Sequence, residues 1–269
     1  GRMTVSNKLT VASIQMDCIL NDKEANLNRA GALIEDAVKK GAQLVVLPEL
    51  FNTGYRVEEY DTVLAEPIPG AATQWMHQLA AKHHIYIAGA IIESGENGIL
   101  YDTAVVVGPE GFKGKHRKMH LWGGEDKRFG KGEQLDVIQL SFCKIGLLIC
   151  YEIGFPEMAR IQVHKGADIL IYTSAFGRAR YYAWDTASRS RALENGAFVI
   201  ASNRCGQDKD SAFGGLSRIV GPDTTILASY GAEGDAVVCA QIDLDEVARM
   251  RQVLPYLRDM NEKLYNNNF

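Results

Sequence analysis

Alternation between apolar runs and polar segments divides the chain into predicted strands and helices. Unbroken apolar runs, such as residues 44–47, 145–149 and 169–172, are typical of strands buried on both faces. Segments in which apolar residues recur every three or four positions, with Gly or Pro nearby, indicate helices instead. Helices are expected near residues 23–40, 71–83, 156–165 and 181–195.

Two parts of the chain repeat the same pattern. Residues 38–47 (VKKGAQLVVL) and 163–172 (VHKGADILIY) each contain a helix end, a Gly at its C-cap and then a buried strand. The similarity extends to both sides, so each half consists of strand, helix, strand, helix, strand and hairpin. The further matching segments are 9–15 and 144–150, 84–88 and 197–201, and the Gly-Pro turns at 108–111 and 221–224.

This repeat predicts an α/β fold. Each half should form a mostly parallel sheet with helices on one face and antiparallel strands added at its edge. Stacking the uncovered faces gives a four-layer αββα sandwich with two mixed β-sheets and internal pseudo-two-fold symmetry, as one domain over residues 1–269. The tail, residues 250–269, carries apolar groups for which this core has no room. It is expected either to dock on a partner subunit or to pack on its own subunit.

Composition and charge argue against several classes of protein. The 269 residues are 46% hydrophobic, which is enough for a large core. A net charge of -4, with no cluster of basic and aromatic residues, argues against a nucleic-acid partner. No segment has the length of a membrane-spanning helix, and no signal peptide is recognisable. Five cysteines without metal-type spacing to histidine indicate a reduced compartment, the cytoplasm.

Cys150 is the candidate nucleophile. It closes the apolar run 144–149, and Pro156 is well placed to begin the next helix. A thiol at the carboxyl end of a buried strand can face a ligand, and the following turn offers backbone N–H groups to an anion. The alternative is that Cys150 is one more small buried hydrophobic residue, as free cysteines usually are.

Glu49 is the candidate base for this thiol. It ends the apolar strand of residues 44–47, and burial is expected to make it more basic than a surface glutamate. The alternatives are an N-cap or an ion pair. A histidine helper for Cys150 also stays open, because catalytic groups are assembled in space rather than in sequence.

Lys118 is the candidate cation. In an extended segment, residues 115–122, alternation would place Lys118, His120 and Trp122 on one face. An ammonium group there can stabilise both a thiolate and the oxyanion of a tetrahedral intermediate. Glu125 or Asp126, in the Gly-rich turn that follows, could neutralise or orient it.

These segments resemble the motifs of the nitrilase superfamily, the carbon-nitrogen hydrolases with a Glu, Lys, Cys catalytic set. Residues 48–49 resemble its glutamate motif, 117–121 its lysine motif and 150–157 its cysteine motif. Residues 191–195 and 201–206 resemble later landmarks, so the resemblance extends over almost the whole chain. It implies the four-layer fold and a homodimer or a larger homo-oligomer.

The resemblance also implies catalytic roles. Glu49 would be the general base, and Cys150 the nucleophile that forms a thioester with the acyl group of the substrate. Lys118 and the backbone N–H of Tyr151 would stabilise the oxyanion. Neither a cofactor nor a metal is required for this chemistry.

Other residues next to these three are candidates for supporting roles. Glu125 matches best the second glutamate that many family members have, with Asp126 as the rival. Arg178 or Arg180 could bind a carboxylate or carbonyl at the far end of the substrate, although surface exposure is the simpler interpretation of each. The candidates for the substrate pocket are Tyr55, Trp122, Tyr151 and Phe176.

The expected activity is that of an amidase, which converts a small linear amide to a carboxylate and ammonia. Tyr151 after Cys150 resembles the amidase branches, whereas true nitrilases usually have a Trp there. N-carbamoyl hydrolase and nitrilase activities stay open because they use the same catalytic set. A catalytically silent binding or scaffold protein is the alternative outside enzymes.

Overall fold

Two six-stranded mixed sheets form the frame of the protein. The computed structural model describes residues 6–269. The first half contains β1 (Lys8–Gln15), α1 (Lys23–Lys39), β2 (Ala42–Glu49), α2 (Asp61–Leu64), α3 (Ala71–His83), β3 (Tyr86–Ser94), β4 (Leu100–Gly108) and β5 (Gly111–Arg117). The second half contains β6 (Ile138–Gln139), β7 (Lys144–Ile149), α4 (Pro156–His164), β8 (Ala167–Ser174), α5 (Tyr181–Asn195), β9 (Phe198–Asn203), β10 (Gln207–Asp208), β11 (Ser211–Ala212), β12 (Arg218–Val220) and β13 (Ile226–Ser229). The chain ends with β14 (Ala236–Asp243), α6 (Asp245–Val253), α7 (Tyr256–Asp259) and α8 (Glu262–Asn266).

The two sheets have the same internal arrangement. The first has the order β14-β1-β2-β3-β4-β5, and the second has the order β13-β12-β9-β8-β7-β6. In each, three strands are parallel, β1 to β3 and β7 to β9, and an antiparallel hairpin extends one side. The opposite edge is completed by an antiparallel strand, β14 or β6. The α/β fold class and its internal repeat, predicted from the sequence, are confirmed.

The four predicted helices are present and match their expected bounds to within one residue. Asp22 caps α1 by accepting a hydrogen bond from the backbone N–H of Ala25 at 3.0 Å. The repeated glycines after α1 and α4, Gly41 and Gly166, have φ angles of +88° and +105°, which an L side chain would disfavour. Pro156 is the first residue of α4, as predicted. Within residues 6–269, no helix combines the length and the apolar character needed to cross a membrane.

The sheets pack face to face through one apolar core, which also takes in helices of the second half. Its members include Val11 and Val46 from the first sheet and Ile171 and Ile200 from the second. Buried hydroxyl groups join the layers, since Ser13 Oγ donates a hydrogen bond of 2.9 Å to the carbonyl of β9 residue Ala201. A second core lies between the first sheet and helices α1 and α3.

The C-terminal helices contact their own subunit at one end and expose apolar groups at the other. Arg251 of α6 lies 3.2 Å from the Asp168 carboxylate and donates a hydrogen bond to the carbonyl of Asn195. Beyond it, Leu264 and Phe269 are among the exposed apolar side chains. The contact of residues 250–269 with a partner subunit stays a prediction.

Candidate active site

Glu49 ends β2 inside the protein. Its side chain is fully buried, and the next residue, Leu50, has a φ of +52° that turns the chain sharply away from the sheet. The two carboxylate oxygens have different partners. Oε2 lies 2.9 Å from Lys118 Nζ, and Oε1 accepts a hydrogen bond of 3.1 Å from the backbone N–H of Ala175, which follows β8. The ends of two sheets therefore fix the orientation of this carboxylate.

Lys118 follows β5 immediately and is also fully buried. Its backbone N–H donates a hydrogen bond of 2.8 Å to the carbonyl of Asp102, which holds the residue against β4. Its Nζ lies 2.9 Å from both Glu49 and Glu125 and 3.9 Å from Asp102. Burial alone would lower the pKa of this amine, but the nearby carboxylates, first Glu49 and then Glu125, hold that pKa well above its usual value. The amine is therefore a protonated ammonium at neutral pH.

Three carboxyl groups converge on this ammonium. Oxygen atoms of Glu49, Asp102 and Glu125 lie within 4.8 Å of one another, a spacing that would also suit a metal ion. The distances of Lys118 Nζ to these oxygens place the ammonium in the position that such an ion would take. The chain itself thus supplies the positive charge of the site.

Cys150 lies directly after β7, at the start of the 3₁₀ helix Cys150–Gly154. Its φ of +46° is a strained conformation for a residue with a side chain, and it marks a sharp turn at the strand end. The thiol is buried, and the charged groups that act on it include the Glu49 carboxylate and the Lys118 ammonium. Burial and the charge of Glu49 raise the pKa of this thiol well above its usual value. At rest the sulfur is therefore protonated, with a carboxylate beside it.

The basicity expected for Glu49 was wrong in direction. Burial tends to raise the pKa of its carboxyl group, as the sequence suggested, but the Lys118 ammonium and hydrogen bonds from its neighbours bring that pKa below the ordinary value. Glu49 is consequently ionised and able to accept a proton. A role as a base would therefore have to rest on where Glu49 lies in the site rather than on an elevated pKa.

Glu152 is a structural residue that sequence reasoning missed. Its buried carboxylate accepts hydrogen bonds from the backbone N–H groups of Ile149 at 3.0 Å and Met119 at 2.9 Å, and it lies 2.7 Å from His116 Nε2. These contacts join the Cys150 turn to the segment that follows Lys118. The signal in the sequence was a charged residue two positions after Cys150, in a run that is otherwise mainly apolar.

We expect Glu152 to make the fold sensitive to acid. Although burial acts in the opposite direction, His116 and the backbone donors lower the pKa of this carboxyl group from 4.5 to about 2. A lowered pKa in the folded state stabilises the protein above pH 4.5, and this contribution is lost as the pH falls toward 2. It amounts to about 3 kcal/mol.

Denaturant unfolding of the wild type and of Glu152→Gln, at neutral and at acidic pH, measures this contribution. The variant should be less stable at neutral pH by roughly 2–4 kcal/mol. The difference should shrink as the pH falls, because the wild type loses the contribution and the variant has none to lose. Glu157→Gln, at an exposed position of α4, is the matched control. A constant difference across the pH range would contradict the role of Glu152.

Burial distinguishes Glu125 from its rival Asp126. Glu125 is 2% exposed and contacts Lys118, whereas Asp126 points to solvent. The Tyr55 hydroxyl donates a hydrogen bond to Glu125 Oε2, and the backbone N–H of Trp122 donates one to Oε1 at 3.0 Å. Burial and the Glu125 carboxylate raise the pKa of the Tyr55 phenol, so that it remains a donor. Tyr55 therefore belongs to the charged cluster and holds Glu125 in place.

The segment after Lys118 is not extended as predicted. Strand β5 ends at Arg117, and a bend follows, so that the side chains of Lys118, His120 and Trp122 do not form one face. Lys118 is buried in the site, whereas His120 stacks on Phe155 with ring centroids 3.8 Å apart. The hydrogen bonds of Lys118 and Glu152 replace the sheet pairing that the alternation rule assumes.

Aromatic side chains lie around the catalytic cluster. Trp122 is 39% exposed, and its ring centroid lies 5.2 Å from that of Tyr151, the neighbour of Cys150. Phe176 is mostly buried and packs on Trp184 at 5.4 Å, so it contributes mainly to the core. Trp122 and Tyr151 thus form an aromatic wall next to the Cys150 turn, and Trp122 carries this wall to the surface.

The two arginines in the loop after β8 have different surroundings. Arg178 is exposed and pairs with Glu233 at 3.4 Å. Arg180 is half-buried, and its guanidinium lies over the Trp122 ring at 4.5 Å and at 6.0 Å from the Phe176 ring centroid. Among residues 6–269, no carboxylate lies within ion-pair distance of Arg180. The positive charge of Arg180 therefore lies on the aromatic wall and is not neutralised by a carboxylate of these residues.

The site places a thiol, a carboxylate and an ammonium at strand ends of a four-layer sandwich, and these are the groups that a cysteine hydrolase without a histidine base would require. Comparison with known proteins identifies the family. The model of the carbon-nitrogen hydrolase family matches residues 10–252. The chain belongs to this family, and it is an enzyme that hydrolyses non-peptide carbon-nitrogen bonds.

Similar proteins cover nearly the whole chain. The chain is 37% identical to Omega-amidase NIT2 of Xenopus tropicalis over 91% of its own length and 92% of that protein. It is also 37% identical to a protein of Pyrococcus abyssi named Nitrilase, over 95% and 98% of the two chains. Nit3 of Saccharomyces cerevisiae superposes with a TM-score of 0.87 at 31% identity, covering 95% and 97%. An amidase of Nesterenkonia sp. AN1, solved in complex with acrylamide, gives 0.86 at 25% identity over the full length of both chains.

Proposed function

We propose that this enzyme is an amidase that hydrolyses a small linear amide to a carboxylate and ammonia through a thioester on Cys150. One observation carries the proposal. The charges of Glu49 and Lys118 both act on the buried thiol of Cys150, and the Glu49 carboxylate lies 2.9 Å from the buried ammonium of Lys118. A nucleophile, a proton acceptor and a cation for the developing oxyanion are therefore present together.

Acylation begins when the amide carbonyl carbon meets the sulfur. As the bond from Sγ to carbon forms, the thiol proton passes to Glu49, and the carbonyl oxygen becomes an oxyanion. The Lys118 ammonium and the backbone N–H of Tyr151 stabilise that negative charge. Glu49 then gives its proton to the amide nitrogen, the carbon-nitrogen bond breaks, and ammonia leaves a thioester on Cys150.

Hydrolysis of the thioester uses the same groups, with water in place of the thiol as the nucleophile. Water gives a proton to Glu49 as its oxygen attacks the thioester carbon, and a second oxyanion forms next to Lys118. This intermediate collapses by breaking the bond between carbon and sulfur, and Glu49 returns the proton to the departing thiolate. The product is a carboxylic acid, which ionises at neutral pH, and the cluster regains its starting charges.

Arg180 supports a substrate with a negative charge at the end opposite the amide. Its guanidinium lies on the aromatic wall formed by Trp122 and Tyr151, and Tyr151 is adjacent to the nucleophile. A guanidinium fits a carboxylate well because it can donate two parallel hydrogen bonds. The relatives named omega-amidase agree with an amide at one end of the substrate. We propose short amides of dicarboxylic acids as the substrate class.

Replacement of Arg180 by alanine tests this substrate class. For an amide with a distal carboxylate, kcat/KM should fall roughly 10- to 100-fold, because a charge-assisted hydrogen bond is lost. For a neutral amide of the same length, kcat/KM should change less than about threefold. Arg178→Ala is the matched control and should affect neither substrate. An equal loss for both amides would exclude carboxylate recognition by Arg180.

A panel of short amides, nitriles and N-carbamoyl compounds tests the reaction itself. Ammonia release should be highest for amides in the wild type and absent in Cys150→Ala. Mass spectrometry of quenched reactions should find an acyl adduct on the peptide that contains Cys150. Turnover of nitriles alone would favour the nitrilase activity that the name of the Pyrococcus abyssi relative suggests. An adduct on Cys205 instead of Cys150 would overturn the assignment of the nucleophile.

A further inference from the structure

Asp102 is a buried acidic residue to which the proposed reaction gives no role. It lies in β4, in the sequence Leu100-Tyr101-Asp102-Thr103, and its side chain is completely inaccessible to solvent. Neither carboxyl oxygen accepts a hydrogen bond from any residue of the described part of the chain. A buried carboxylate without donors is costly, so this group must be neutral or act as a donor itself.

The charges around Asp102 decide between these states. Lys118 Nζ lies 2.9 Å from Glu49 and from Glu125 but 3.9 Å from Asp102. One ammonium cannot balance three carboxylates in a buried site, so the most distant carboxyl group retains its proton. Burial and the adjacent Glu49 raise the pKa of the Asp102 carboxyl group well above its usual value, in agreement with the distances.

The proton of Asp102 has one evident acceptor. Carboxyl oxygens of Asp102 and Glu49 belong to a group whose members all lie within 4.8 Å of one another, and Lys118 lies beside both side chains. Because Glu49 is the carboxylate closer to the ammonium, it carries the negative charge and accepts. Both side chains are fully buried, so solvent does not compete for this proton.

We propose that Asp102 is a positioning residue, which as a neutral carboxylic acid donates a hydrogen bond to Glu49 and keeps that carboxylate directed at Cys150. The inference rests on the proposed function of Glu49 as the proton acceptor. It gives Asp102 two effects on the reaction. The hydrogen bond fixes the orientation of Glu49, and the neutral state limits the negative charge that opposes formation of a thiolate and an oxyanion.

The second effect makes activity depend on the proton of Asp102. At alkaline pH its ionisation would add a negative charge among the groups that face it, which are Glu49 on β2, Lys118 after β5 and Glu125 in the 3₁₀ helix Gly123–Lys127. The Tyr55 hydroxyl lies behind Glu125, to which it donates a hydrogen bond, and the Cys150 thiol is influenced by the charges of Glu49, Lys118 and Glu125. Loss of this proton should therefore lower the rate of acylation and produce an alkaline limb in the pH profile.

Two variants distinguish the effect of the hydrogen bond to Glu49 from the effect of ionisation of Asp102. Asp102→Asn keeps a donor toward Glu49 but cannot ionise, whereas Asp102→Ala removes the donor. For Asp102→Asn, kcat/KM at neutral pH should stay within about fivefold of the wild type, and the alkaline limb should move upward by about one pH unit or disappear. For Asp102→Ala, kcat should fall roughly 10- to 100-fold at every pH with KM little changed. Thermal unfolding of all three proteins shows whether a loss reflects folding, and the isosteric Asn variant keeps the test valid if the Ala variant does not fold.

The rate of Cys150 alkylation by iodoacetamide gives a readout that needs no substrate. Its pH dependence should differ between the wild type and Asp102→Asn in the same way as that of kcat/KM. A failure of the amide panel together with altered alkylation would reject the proposed reaction and retain the role of Asp102. An alkaline limb that is unchanged in Asp102→Asn, or a folded Asn variant as inactive as the Ala variant, would overturn the proposal.

Discussion

Replacement of Lys118 by methionine should abolish amide turnover and destabilise the fold at the same time. The ammonium lies between three buried carboxyl groups, and its removal leaves negative charges of Glu49 and Glu125 without compensation. Removal of one partner from such a buried cluster is expected to cost about 3–5 kcal/mol of unfolding free energy. The oxyanion would also lose its cation, so kcat should fall by roughly 1,000-fold or more.

Denaturant unfolding and amide hydrolysis measure these two losses separately. Lys127→Met, at an exposed position nearby, is the matched control and should change neither quantity appreciably. Part of the lost stability should return at acidic pH, where the Glu49 carboxylate can take up a proton. A Lys118→Met protein with the stability of the wild type at neutral pH would contradict the charge balance described for the cluster.

Glu49→Gln is expected to remove turnover with a much smaller effect on the fold. A glutamine has nearly the same shape but cannot accept a proton. Each half-reaction needs Glu49 as the acceptor, first for the thiol proton and then for a proton of water. The loss in kcat should be roughly 100- to 10,000-fold. Stability should change by less than about 2 kcal/mol, because Glu125 still balances the Lys118 ammonium and Asp102 can then release its own proton.

Rapid-quench kinetics with an amide substrate show which step of the reaction is blocked in Glu49→Gln. No acyl adduct should accumulate on Cys150, because acylation itself needs the base. The double variant Glu49→Gln with Cys150→Ala should be no less active than Cys150→Ala alone, since the two groups act in the same step. Activity of Glu49→Gln within tenfold of the wild type would exclude Glu49 as the proton acceptor.

The candidate residues could be named because each one stands at a junction that the sequence marks. Glu49 and Cys150 end apolar runs, and ligands usually bind beyond the carboxyl ends of parallel strands. Their strands, β2 and β7, belong to different sheets, so it is the stacking of the sheets that places the two residues in one site. The internal repeat also relates these two strands to each other, since they occupy neighbouring places in its pattern. Alternation and a Gly-rich turn also singled out Lys118 and Glu125 or Asp126, and the resemblance to a family favoured Glu125 over Asp126.

Asp102 and Glu152 could not be assigned in this way. Asp102 occupies an ordinary strand position. The pKa of its carboxyl group is raised only because the folded chain buries it next to Glu49 and Lys118, which belong to other segments. Glu152 has its effect by joining two loops, through Ile149 and Met119, that are distant in sequence. Neither role leaves a periodic signal, because both depend on partners rather than on neighbours.

The order of strands and helices, the internal repeat and the residue types at the strand ends all follow from the amino-acid sequence alone. Apolar periodicity is a local property, and burial of those apolar faces permits few ways to stack two repeated halves. The charge states of the site, in contrast, depend on how the folded chain brings distant groups together. The sign of the Glu49 pKa shift is set by an ammonium 69 residues away in sequence and 2.9 Å away in space. Electrostatic energies follow distance and solvent exposure, so they exist only once the chain has folded.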